Sequence, residues 1–211
     1  MTDQSICPIV DIMVIGRPAE FDREEALEKA MGLFWRNGYE ATGLTELTNE
    51  MGIGRQSLHN AFGDKHSLFL QALQRYLAEM RATESKVLRN APTPLEGLRN
   101  AAHHRLDFTD CSGECPRGCM AVNSLVELAP HDDSVRQVLN EHMGYMRKMI
   151  GGAIGDAQTA GQIQTTRPPE LLTGMLMTFL AGLVSLLKSG MATEDAHRLL
   201  DAQLDAIFSI E

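Results

Sequence analysis

Apolar positions return every three or four residues along most of this chain, the period of helices with one buried face, and no segment sustains a period of two. Leu27, Ala30, Met31 and Phe34 fall at i, i+3, i+4 and i+7 behind Asp22, whose carboxylate suits an N-cap. Asn37-Gly38 ends that helix with residues that tolerate a left-handed turn. Two short segments follow: Leu44, Leu47 and Met51 share one apolar face, Leu58 and Phe62 another, and Gly52-Ile53-Gly54 makes a tight turn between them. Asp64 then caps a longer helix that carries Leu68, Leu73, Tyr76 and Leu77 inward.

Pro92 and Pro94 interrupt the pattern, which places a boundary near Asn90. Helical spacing resumes over about 95–108 and again over 119–129 as far as Pro130. Asp132 or Asp133 caps a long helix to about Ala160, and Pro168-Pro169 opens another through Leu187. Thr193 caps a last helix, with Glu194 and Asp195 in its first turn. The chain is expected to be all-α. Residues 1–15 read as a loose tail, in which Met13 offers an alternative start.

Composition narrows the picture. A chain of 211 residues can bury a sizeable core, and 12 methionines make that core adaptable. The net charge of −9 opposes a generally basic nucleic-acid binder but leaves room for one small DNA-facing surface. Four cysteines are too few for a disulfide scaffold, the opening residues lack a basic signal-peptide start, and the apolar run Leu171–Leu187 carries Thr, Ser and Gly. The expectation is a cytoplasmic protein with free thiols, no membrane partner and no cofactor. No nucleophile–base signature or Gly-rich phosphate loop supports an enzyme.

A helix, a glycine-centred turn and a two-turn second helix describe a helix-turn-helix, whose second helix enters the major groove. Arg55, Gln56, Ser57, His59 and Asn60 lie on or near the outer side of that helix, where Arg55 suits guanine and Gln56 adenine. Residues 21–73 further resemble the N-terminal domain of the tetracycline-repressor (TetR) family. The resemblance is carried by A-x-x-L-F (Ala30–Phe34), G-Y-x-x-T (Gly38–Thr42), G-I-G (52–54), S-L-x-x-x-F (Ser57–Phe62) and D-K-x-x-L-F (Asp64–Phe69). It implies a transcriptional regulator, a repressor that its effector releases from a pseudo-palindromic operator of double-stranded DNA, with Thr42, Thr45 and Lys65 on phosphates. The alternative reading is an all-α metal- or ligand-binding protein without DNA contact. Arg17, in the arm before the first helix, would reach the minor groove or backbone. Gly54 stands where the family has a capping Ser, and His59 where it has a phosphate-binding Tyr.

The resemblance assigns residues 16–90 to DNA binding with a connecting helix, and 91–211 to effector binding and dimerisation. It implies a homodimer seamed by helices 169–187 and 193–209, with Met175, Phe179, Leu183 and Leu186 at the interface. GCMAVNSLVELAPHDDSV (118–135) resembles a subgroup containing regulators that answer to reactive small molecules, so the effector is a small molecule or an electrophile. Within CSGECPRGC (111–119), three readings stand open. The thiols are inert; or His103, His104 or a carboxylate completes a metal site; or Cys119, near a helix N-terminus and Arg117, is a reactive thiol resolved by Cys111 or Cys115.

Overall fold

Asp22 does cap the first helix of the computed structural model, which describes residues 21–109 and 117–209. Its carboxylate accepts from the amides of Glu24 and Glu25 and opens α1 (Arg23–Asn37). The helices α2 (Leu44–Met51), α3 (Arg55–Phe62) and α4 (Lys65–Asn90) follow, and the glycines 52–54 form the corner between α2 and α3. Leu47, Met51, Leu58 and Phe62 point inward against α1 and α4, with Phe34 edge-on to Phe69 at 5.1 Å between ring centres. The short helices thus borrow their stability from α1 and α4, since eight residues alone would not hold a helix.

The remaining helices are α5 (Pro94–Thr109), α6 (Met120–Glu127), α7 (Asp133–Thr159), α8 (Pro169–Lys188) and α9 (Thr193–Phe208). No strand occurs among the described residues, so the all-α expectation holds. Asp132 is the N-cap of α7, accepting from Ser134 and Val135. The last helix differs from expectation at its start: Ala192 takes the N-cap position and Thr193 is the first helical residue. Helix α4 packs on α1 at one end and on α5 and α7 at the other, while α8 lies between α7 and α9.

Helix α8 is long and apolar enough to cross a membrane by length and composition, with a mean hydropathy of 1.8 over its best window. Only 39% of that window is buried. Leu172, Leu176, Leu180, Leu183, Val184 and Leu187 face the interior, while Leu171 and Leu186 stay exposed beside Gly174 and Gly182. Leu183 was expected at a seam between subunits. It is instead 2% exposed within one subunit, because it falls on the side of α8 that packs into the core.

A candidate DNA interface and the cleft coupled to it

Helix α3 presents Arg55, Gln56, His59 and Asn60 to solvent and leaves Ser57 half-buried. Arg55 reaches back to α2, where its Nη2 donates to Thr45 Oγ1 at 2.7 Å. Gln56 Nε2 donates to Asn60 Oδ1 at 2.9 Å, one turn along the same face. Both bonds are exposed and can exchange for base or phosphate partners. Gly43 and Gly54, the N-caps of α2 and α3, supply no side-chain acceptor. Their first-turn amides therefore remain open to anions.

Lys65 starts α4 beside this face, its Nζ 4.2 Å from the centre of the Tyr39 ring. Thr42 departs from the phosphate role expected of it. It is fully buried, and its hydroxyl donates to the Gly38 carbonyl at 2.6 Å, so the side chain braces the turn between α1 and α2. Arg17, Cys111 and Cys115 lie outside the described residues.

Three polar links tie this DNA-facing part to the helices behind it. Trp35, the only tryptophan, donates from Nε1 to the Gly118 carbonyl at 2.7 Å just before α6. Glu127, at the far end of α6, accepts from the backbone amides of Tyr39 (3.2 Å) and Glu40 (2.9 Å). His66 in the first turn of α4 meets Asp132 at 2.6 Å. Burial alone would raise the Asp132 carboxyl, but the Val135 and Ser134 amides and His66 hold it below the usual range. Two of the links require glycine. A Cβ on Gly38 would sit 2.9 Å from Glu127 Oε2, and one on Gly118 would sit 3.0 Å from Lys188 Cβ; both residues also have positive φ.

Sequence reasoning missed this set because each partner lies 66 or more positions away. The usable signals were local: a lone tryptophan, and a single acidic residue in the otherwise uncharged α6.

Between these anchors α6 forms one wall of a cleft closed by α5, α7 and α8, with ≈ 620 Å³ of empty space, mouth included. Ala121, Val122 and Leu125 line it from α6, Met143 and Met146 from α7, Met177 and Leu180 from α8. Its polar members are Arg105 and His142. Arg105 Nη2 lies 2.6 Å from Glu84 Oε1, and both side chains are mostly buried. Burial pushes the Glu84 carboxyl up, and Arg105 pulls it back part of the way.

Cys119 also lines the cleft. Its thiol was expected near a helix N-terminus, and it does hold the N-cap of α6. It is fully buried, however, with Tyr76 Oη donating to Sγ at 3.5 Å. The cleft offers a reagent a route to it. His103, considered above as a metal ligand, pairs with His197 (Nδ1–Nδ1 2.6 Å) and Asp201 (2.9 Å) on α9.

Comparison with known proteins fits both halves of this arrangement. Residues 26–72 match the family of bacterial regulatory proteins, tetR family, and residues 94–202 match the tetracyclin repressor-like C-terminal domain. The HTH-type transcriptional repressor ComR of Escherichia coli (strain K12) is 30% identical over 167 residues, 78% of this chain and 77% of its own. The HTH-type transcriptional repressor DhaR of Mycobacterium sp. (strain GP1) is 25% identical over 186 residues, 88% of this chain and 91% of its own. A solved structure of a cysteine mutant of the TetR-family regulator CifR, complexed with 26-bp double-strand operator DNA, is 31% identical with a TM-score of 0.80. It covers 90% of this chain and 99% of that one.

Proposed function

This chain belongs to the tetR family of DNA-binding transcriptional repressors, not enzymes, and from that premise we propose a homodimer that leaves its operator when an effector fills the α6 cleft. The observation that carries the reading is the placement of α6. One helix forms a wall of the cleft; the residue just before its N-cap bonds Trp35 of α1, and its last residue holds the turn that leads into the helix-turn-helix. An effector that displaces α6 outward therefore shifts α2 and α3 relative to the rest of the subunit. In a dimer the recognition helices must meet grooves roughly 34–36 Å apart, so a small rotation loses register.

Arg55, Gln56, His59 and Asn60 read the groove, with Thr45 and Lys65 on the backbone. Removing Arg55 (Arg55→Ala) should cost about 1–3 kcal/mol at the preferred operator and relax preference at one base pair. Lys65→Ala should weaken all sequences alike and flatten the salt dependence. Sequencing fragments selected by the purified protein, then titrating them at several salt concentrations, measures both. Absence of any sequence preference at low salt would end the operator reading.

Cys119 supplies a route for an electrophile small enough to enter the cleft. With benzoquinone, Sγ bonds to a ring carbon while the thiol proton and the displaced ring hydrogen pass to the two oxygens, leaving a hydroquinone adduct. Such an adduct adds bulk at the start of α6 beside Tyr76. Benzoquinone should then release wild-type protein from DNA and spare Cys119→Ser. Equal release of both proteins would remove Cys119 from the response.

A further inference from the structure

One residue of the cleft wall carries a polar atom that the fold leaves unused. His142 is 2% exposed, and its Nδ1 has no hydrogen-bond partner among the described residues. Folded proteins pair nearly all such atoms, and this one belongs to a residue that lines the cleft, where a ligand can complete the bond. Burial first, then the cations Arg105 and Arg81, lowers the pKa of this ring to about 4, so it is neutral near pH 7. A neutral imidazole nitrogen either donates or accepts.

The charge of the surroundings restricts what that partner can be. Arg105, the other polar group of the wall, is engaged with Glu84 at 2.6 Å, so the pair carries no net charge. An anionic ligand would add a second negative charge beside a buried cation that Glu84 already neutralises, leaving one charge uncompensated. A cationic ligand meets no unengaged carboxylate among the residues that line the cleft. Around His142 the wall is Leu139, Met143, Met146, Leu180 and Val184, which suits an apolar body and, through its methionines, an aromatic one.

We propose that the cleft takes a compact, uncharged ligand, apolar over most of its surface, that places one hydroxyl or carbonyl in hydrogen-bond contact with His142 Nδ1. The inference rests on the cleft being the effector site and adds the effector's chemical class. Calorimetry on the full chain without DNA tests it with four probes of similar size: p-cresol, acetophenone, toluene and p-toluate. At least one of p-cresol and acetophenone should bind tenfold or more tighter than toluene, and p-toluate should bind worst. His142→Leu should erase that advantage and leave toluene unchanged, while His142→Asn, which keeps a polar end, should retain part of it. In wild-type protein labelled with ¹⁵N-histidine, the Nδ1 resonance of His142 should move on addition of the tighter polar probe.

Equal binding of toluene and both neutral polar probes overturns the proposal. So does tightest binding by p-toluate, or no binding of p-cresol and acetophenone at their solubility limits. Because DNA is absent, the outcome is separate from the operator reading. A protein that selects an operator but ignores His142 sinks only this inference, and one that binds p-cresol through His142 without operator preference sinks only the function above.

Discussion

A protein carrying Leu186→Asp should run as a monomer and bind its operator weaker by about 10²–10⁴-fold, the advantage that linking two binding modules confers. Leu186 is 46% exposed on α8, so the charge does little to the isolated subunit. The same side of α8 carries Leu171, 52% exposed, with the half-buried Met175 and Phe179 nearby, and α9 adds Leu199, 46% exposed. Gly174 and Gly182 lie along it and let a second helix approach closely. A self-complementary surface of this kind pairs each residue with the same patch on its twin, so one Asp per chain places two charges in the seam. Leu183→Asp is the informative contrast. Its side chain is 2% exposed within the subunit, so that substitution should cost several kcal/mol and unfold the chain rather than separate it. Sedimentation velocity at micromolar concentration, beside operator titration, decides the matter. A folded Leu186→Asp protein that stays dimeric with full affinity rules this seam out.

The contrast between Leu183 and Leu186 also shows where sequence reading stops. Helical spacing, glycine punctuation and acidic caps are local, and Asp22, Gly52, Asp64 and Asp132 each end or begin an element where their chemistry requires it. A helix apolar around most of its circumference gives no such cue, because hydrophobicity alone does not say which leucine meets its own subunit. Thr42 failed for a related reason: a hydroxyl at the mouth of a helix can serve a phosphate or the turn beneath it, and only the packed turn puts the Gly38 carbonyl 2.6 Å away. The outer face of α3 was legible because two inward residues, Leu58 and Phe62, fix the rotation of the helix. The cleft was not, since its walls come from four helices and its polar atom is distinguished only by what fails to reach it.

If α6 carries the signal, Glu127→Ala should leave operator affinity of the unliganded protein within a few-fold and abolish most of the effector's influence on it. The carboxylate accepts two backbone amides of the turn after α1, one through each oxygen, and Gly38 lets it approach closely enough to do so. Hydrogen bonds to a charged group contribute about 1.5–3 kcal/mol each when shielded. This pair is only half-buried, so about 1–3 kcal/mol for both together is the reasonable scale after solvent screening. That is the size of a typical coupling energy between two sites, about 1–3 kcal/mol or roughly 5–150-fold in affinity. Removing the link can therefore remove most of the response without removing the fold. Glu127→Gln, which keeps one oxygen acceptor, should fall between wild type and Glu127→Ala. Trp35→Phe, which retains a ring against Tyr76 and Phe108 but loses the bond to Gly118, should weaken the response from the other end of α6. The measurement is operator affinity with and without a cleft ligand at saturation, alongside the ligand's own affinity without DNA. Hydrogen exchange at Tyr39 and Glu40 should accelerate in Glu127→Ala, which shows that the turn was released. Exchange that accelerates while the effector still shifts operator affinity by the wild-type factor would mean that the signal travels by another path, with His66 and Asp132 the next link to cut.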